Sequence, residues 1–381
     1  MTAEVVGNIR ARFPIFERKI YLNSCSQGAL SAAVEAGLLD YIVSWHQDGS
    51  PWEAWMQEYE EARGVFARLI GAEPDEVAIV PSASAGISGV ASALDFDRRR
   101  KVVVGEFEFP TMGHIWKAQE RRGAQVQFVS GENNAIPLQA YDRAVDDRTL
   151  IVPLTQVCFL NGFRSDVAGI TRLAHERGAL LLLDGYQDCG TRPLDVKELG
   201  VDFYVSGTLK YLLGAPGVAF LYIRRELIPS LWPTVTGWIG QANPFAFDVK
   251  HFQPALAARR FETGTAPIAN LYAAIPGVEL LSGIGLDQIA THISMLARAL
   301  VEGARRLRLH LKTPEATVGP LVVLQAQNLQ ALLSRLDARG IVASGRHDGL
   351  RISFHLYNTL GDVEQLLRIL HDNLDLLVRE G

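Results

Sequence analysis

Short, nearly continuous apolar runs alternate with segments of helical period between about Val77 and Ile223. "EVAIV" (76–80), "KVVVGE" (101–106), "AQVQFV" (124–129), "TLIVPLT" (149–155), "ALLLLD" (179–184), "VDFYVS" (201–206) and "VAFLYI" (218–223) read as seven strands. Their lack of polar alternation predicts a sheet buried on both faces. Helical stretches such as "GISGVASAL" and the run through Trp116 to Arg122 lie between them. The pattern is that of an α/β protein with a mainly parallel sheet. It weakens after Arg224. Residues 229–267 are rich in Pro, Gly and Trp and predict a long structured connection over a site or an interface. Periodicity returns with a helix over 287–309, a strand in "GPLVVLQAQ" (319–327), a helix in "NLQALLSRLDARG", a strand in "LRISFHL" (350–356) and a final helix. These predict a smaller α+β unit. The expected division is 16–265 for the large domain and 266–381, with residues 1–15, for the small one.

Composition narrows the class. The chain has 381 residues, 48% of them hydrophobic, and a formal net charge of −5. No nucleic-acid partner is expected from such a balance. The basic run Arg98–Lys101 reads as a solvated turn. Cys25, Cys158 and Cys189 are too few and too scattered for a disulfide framework or a thiolate metal site. No uncharged apolar run reaches the roughly 18 residues of a membrane span, and no membrane partner is expected. A cytoplasmic setting is the default expectation.

Candidate chemistry gathers at the carboxyl ends of the predicted strands, where ligands bind in doubly wound sheets. Asp184 closes "LLLLD"; alone it could equally cap the following helix. Lys210 follows the next strand in "VSGTLKYLLGAPG". A lysine and a carboxylate on neighbouring strand ends are the pair that pyridoxal 5′-phosphate requires. "IVPSASAGISGV" (79–90) places small residues between a strand and a helix, where backbone N–H groups can cradle a phosphate. It has neither the lysine of a nucleotide-binding loop nor dinucleotide spacing, and it does not match GxSxG.

With those residues in place, "LLLDGYQDCG…VDFYVSGTLKYLLGAPGVAFLYI" resembles the fold-type-I pyridoxal-phosphate enzymes of aminotransferase class V, a group that includes cysteine desulfurases, selenocysteine lyases and kynureninases. "YLNSCSQGAL" (21–30), "FEFPTMGH" (107–114), "GWIGQANPFAFD" (237–248), "RRFETGTAPI" (259–268) and "LRISFHLYNTLGDV" (350–363) extend the likeness over nearly the whole chain. The resemblance implies Lys210 as the Schiff-base lysine and proton shuttle, Asp184 at the pyridine nitrogen, Gln187 at the phenolic oxygen and Phe109 stacked on the ring. It implies Ser84, Ala85, Ser206 and Thr208 at the phosphate, with Trp238 and Thr265 reaching the phosphate of a neighbouring subunit in a homodimer. Arg351 would take the substrate carboxylate, with Ser26 and Asn161 beside the substrate and Gln156 and Phe159 near the ring. Each has a plainer reading: Phe109 as core packing, Trp238 as a dimer-core aromatic, Arg351 as a locally paired strand residue. His114 and His355 read as surface or satisfied histidines. His347, in "SGRHDG" just ahead of Arg351, is the histidine that could enter the site.

Departures from the relatives bear on the reaction. The segment "GIVASGRHDGLRIS" holds no cysteine, which argues against sulfur transfer through a persulfide. Leu209 stands where desulfurases carry His and kynureninases Tyr, and Gln241 where kynureninases carry His. The expected activity is a pyridoxal-phosphate enzyme acting on an α-amino acid, a class V aminotransferase first, a C–C or C–S lyase second, and an inactive binding protein third.

Overall fold

The computed structural model describes residues 1–380. The chain opens with α1 (Ala3–Arg10), the short strand β1 (Ile20–Tyr21), α2 (Ala32–Asp48) and α3 (Trp52–Leu69). Then come β2 (Val77–Val80), α4 (Ala83–Ala93), β3 (Lys101–Gly105), α5 (Pro110–Ala118), β4 (Gln125–Val129), α6 (Leu138–Ala144), β5 (Thr149–Thr155), α7 (Val167–Glu176), β6 (Leu180–Asp184), β7 (Phe203–Gly207) and β8 (Ala219–Ile223). After the irregular 229–267 segment follow α8 (Ile268–Ile284), α9 (Leu286–Arg306), β9 (Leu321–Gln325), α10 (Leu329–Ala338), β10 (Ile341–Val342), β11 (Ser344–Arg346), β12 (Gly349–Ser353) and α11 (Leu360–His371).

The seven expected strands form one sheet in the order β2-β8-β7-β6-β5-β3-β4. All run in one direction except β8, which is antiparallel to both β7 and β2. β2, β3, β7 and β8 are buried along their whole length, as continuous apolar runs require. Edge strand β4 is the exception and exposes Gln125, Gln127 and Phe128. Register places Thr155, Asp184 and Val205 level across β5, β6 and β7. The strand ends that carry chemistry therefore face one crevice.

The pattern of hydrophobic positions did not reveal α2, α3 and α8. α2 leaves Leu39, Ile42, Val43 and Trp45 exposed, so its apolar residues do not mark a single buried stripe. α8 packs against both α2 and α3. At Gly285 the chain turns by 83° into α9. No single helix among the described residues is long and apolar enough to cross a membrane.

The C-terminal unit is built on an antiparallel sheet, β11-β12-β9. β1 pairs in parallel with β10, and Asn23 bridges to Ser353. This docks the N-terminal segment on the C-terminal unit and aims the loop after Asn23 back at the large sheet. A buried ion pair anchors the far end of the irregular segment. Glu262 receives Arg63 Nη1 at 2.6 Å and the Ile79 amide at 2.9 Å.

Candidate active site

Lys210 lies in the connection between antiparallel neighbours β7 and β8, and contacts on every side fix that turn. Gly28 N donates to the Leu209 carbonyl at 2.7 Å. A Cβ on Gly28 would collide with the Lys210 carbonyl, so the N-terminal loop approaches this closely only with glycine there. His355 donates its Nε2 proton to the Tyr211 carbonyl at 2.8 Å and accepts the Leu356 amide at Nδ1. Burial lowers its pKa to about 4, so it is a neutral clamp behind the turn.

The Lys210 side chain enters a cavity of about 290 Å³. Its Nζ lies over the Tyr186 ring, 4.2 Å from the centroid. Burial lowers the pKa of the amine from 10.5 to about 8, and the Asp184 carboxylate partly opposes that shift. Asp184 forms part of the same wall, and its Oδ1 accepts the Tyr186 amide at 2.9 Å. Burial raises its carboxyl pKa. Gln187 donates Nε2 to the Cys25 carbonyl at 3.0 Å, and its Oε1 is buried with no partner. Phe109 stands on the cavity wall, half exposed, with its ring edge-on to Phe159 at 4.9 Å.

One end of the cavity is the first turn of α4. Ser82 caps that helix by accepting the Ala85 amide at 3.1 Å, and Ser84 shares a hydrogen bond of 3.2 Å with Thr111. Ser82, Ser84 and Thr111 line the cavity, giving hydroxyl donors at a positive helix end. At the other end stands Arg351, buried on β12. Its Nη2 reaches Ser26 Oγ at 2.7 Å and Ser344 Oγ at 2.9 Å, and its Nη1 reaches the Phe159 carbonyl at 3.2 Å. Its Nε is buried without a partner. All these partners are neutral, so the guanidinium charge is left for a ligand.

The structure thus brings Lys210, Asp184, Gln187, Phe109, Ser84, Arg351, Ser26 and Phe159 to one cavity. Ala85 sits beside them through its bond to Ser82. Several expected residues lie elsewhere. Ser206 shares the sheet face of Tyr204, because side chains alternate along β7. Its Oγ is buried without a partner and off the cavity. Thr208 spends its hydroxyl inside the turn, on the Ala215 carbonyl at 2.5 Å. Asn161 is used locally: it donates to the Asn134 carbonyl at 2.8 Å and accepts the Phe163 amide at 3.0 Å. Gln156 faces a separate cleft beside Arg164. Trp238 and Thr265 line an apolar surface cleft with Trp52, Phe245 and Phe247, not the Lys210 cavity of their own chain. His347 does not line the cavity either; its neighbour Arg346 does.

Tyr186, Ser82, Thr111, Arg346 and Glu108 went unrecognised in the sequence. Glu108 is buried and accepts the Thr155 amide at 2.7 Å. Burial pushes its carboxyl well above the usual range. Tyr186 fills the space over Gly207, where any Cβ would strike its ring. Thr111 follows Phe109 within "FPT", a signal that was present. For Tyr186 the sequence held none, because its ring position depends on Gly207 across the strand end.

A buried amine that is partly neutral near pH 8, facing a buried carboxylate at strand ends, fits pyridoxal phosphate. The hydroxyl-lined helix end fits its phosphate, and the Phe109 face fits its ring. In this architecture that defines a fold-type-I enzyme of the pyridoxal-phosphate class. The chain belongs to the aminotransferase class-V family, whose model matches residues 32–366. It is 36% identical over 351 residues to an uncharacterized aminotransferase, YcbU, of Bacillus subtilis (strain 168), covering 92% of this chain and 93% of that one. A kynureninase of Deinococcus radiodurans is 30% identical over 373 residues, covering 93% of this chain and 90% of that one. In fold, the chain is similar to the apo structure of a cysteine desulfurase from Thermococcus onnurineus NA1, with a TM-score of 0.89 at 21% identity, covering 98% and 99% of the two chains. It is a pyridoxal-phosphate enzyme of amino-acid metabolism in the broad sense of that family.

Proposed function

We propose that the protein is an amino-acid transaminase in which Lys210 holds pyridoxal phosphate and moves the substrate proton. The carrying observation is the Lys210 amine, enclosed in the cavity with a pKa lowered to about 8. The bound cofactor supplies an electron sink for the bond broken at the substrate Cα. The chain's own residues do the rest. Asp184 holds the ring nitrogen protonated, and Ser82, Ser84, Thr111 and the start of α4 hold the phosphate. Arg351 orients the substrate through its carboxylate, as a fork that lysine cannot imitate. Lys210 Nζ takes the proton from Cα and gives one back within the same pocket, which is all the acid–base work transamination needs. No histidine lines the cavity among the described residues, and β11 and the turn before Arg351 hold no cysteine.

The kynureninase relative supports a second reading, cleavage at the β-position by the same first proton transfer. The two are separated by incubating the yellow holoprotein with single amino acids. Transamination converts the cofactor to pyridoxamine phosphate and releases a 2-oxo acid. β-Elimination releases pyruvate and ammonia, and hydrolytic β-cleavage releases alanine and the β-fragment, both with the cofactor left as pyridoxal phosphate. Lys210→Ala should lose the absorption of the lysine-bound cofactor and at least about a thousandfold in turnover. A variant that keeps both overturns the assignment of Lys210.

We extend the reading to a homodimer that shares its sites, supported by the exposed cluster of Trp52, Trp238, Phe245 and Phe247. A cytoplasmic setting belongs to the same proposal, supported by three free cysteines.

A further inference from the structure

The cavity wall carries more positive charge than the chemistry described above uses. Its charged side chains are Lys210, Arg346, Arg351 and Asp184. Lys210 and Asp184 are accounted for by the cofactor, and one substrate α-carboxylate accounts for one guanidinium. A second guanidinium remains. Strand register shows that its position is not incidental. In the β11–β12 pair, Ser344 lies opposite Arg351 and Arg346 opposite Gly349. Arg346 is two residues along from Ser344 and hence on the same face as Arg351, its diagonal neighbour at about 7–8 Å between backbones. The bond from Arg351 to Ser344 confirms that face. Burial is what chiefly lowers the pKa of both Lys210 and Arg351, and the charge of Arg346 adds a smaller push in the same direction.

Two cations side by side repel, and a solvated surface arginine in such a place would normally find an acid. The one acid of this hairpin, Asp348, is already taken by Lys312 and by Gln325 Nε2, the latter at 2.7 Å. Arg346 donates only to the Gly345 carbonyl, at 2.8 Å. It stands on β11 beside the arginine of β12, not on α4 with Ser82 and Ser84.

We propose that Arg346 is a specificity-determining residue that binds a second anionic group on the substrate. The preferred substrate is therefore an α-amino acid with an acidic side chain, or the matching 2-oxo dicarboxylic acid. Arg351 takes the α-carboxylate and Arg346 the distal one, at the solvent-facing rim of the cavity.

The inference rests on the functional reading above, and two measurements keep the two separable. The first is calorimetric binding to the holoprotein, which needs no reaction. Glutarate or succinate should bind at least about tenfold tighter than butyrate, and Arg346→Gln should reduce that ratio towards one. The second is the kcat/KM ratio of glutamate to glutamine, and of aspartate to asparagine, which should fall at least about tenfold in Arg346→Gln. Wild-type protein that binds dicarboxylates no tighter than butyrate overturns the proposal, even if the variant fails to fold. A preference that survives Arg346→Gln intact also overturns it. Dicarboxylate preference without turnover upholds the arginine pair and rejects the transaminase reading. Turnover of neutral amino acids without dicarboxylate preference does the reverse.

Discussion

Residues 208–214, in the connection between β7 and β8, and residues 229–267 are both irregular backbone, yet they are held in opposite ways. In the first, every side chain is buried or half-buried, and Gly28 and His355 reach its backbone from other parts of the chain. In the second, Phe245, Phe247, Val249 and Leu256 are more than half exposed. One chain is enough to fix the amine that does the chemistry. The aromatic segment packs largely on itself, Trp238 against Phe245 and Phe247 and Trp232 against Phe252, and the face it exposes is the one the proposed homodimer would cover. Its far end is different again: Glu262 ties it to Arg63 and to β2.

The largest expected effect tests that tie. Glu262→Ala removes the buried carboxylate shared by Arg63, the Ile79 amide and the Tyr59 hydroxyl, leaving Arg63 only Glu60 and the Val77 carbonyl, and should cost about 3 kcal/mol of folding stability, read from denaturant unfolding. If stability hardly changes, the segment is not anchored there. The aromatic face comes next. Trp238→Ala combined with Phe247→Ala should weaken self-association by about 2 kcal/mol, roughly thirtyfold, in sedimentation measurements. Affinity for pyridoxal phosphate should fall with it if Trp238 reaches the neighbouring phosphate. An unchanged dimer would move the interface elsewhere.

The smallest effect belongs to the rigid turn. Because burial lowers the Lys210 pKa to about 8, uptake of pyridoxal phosphate by the apoprotein should rise with pH and level off above about pH 8. A lysine with its ordinary value of 10.5 would keep accelerating through pH 10. The sign for stability follows from the same shift. The folded form binds the proton less tightly than the unfolded one, so Lys210 costs apoprotein stability below pH 8. That cost fades between about pH 8 and 10.5.

Sequence and structure agree best where one residue type can do one thing at one strand end. The seven sheet strands, Asp184, Lys210 and Arg351 could be read because continuous burial and a terminal charge leave a local signature. Ser206 and Thr208 lie off the cavity for a physical reason. Both are small hydroxyl residues close to the lysine, but strand alternation turns Ser206 to the Tyr204 face, and the turn itself consumes the Thr208 hydroxyl. Asn161 is likewise taken up by its own loop. Arg346 was hidden behind His347, since only the β11–β12 register tells which of two adjacent side chains faces the cavity.

The contact between Tyr186 and Gly207 also constrains how such a site can diverge. The ring occupies the volume that any side chain at 207 would need. A lineage that gains a side chain at 207 must therefore shrink residue 186 first or at the same time. The change at 207 is permitted or forbidden by what stands at 186. Grafting only one of the two positions from a relative would test the history of the pocket rather than its chemistry, and the order of the two changes should decide whether a functional intermediate exists.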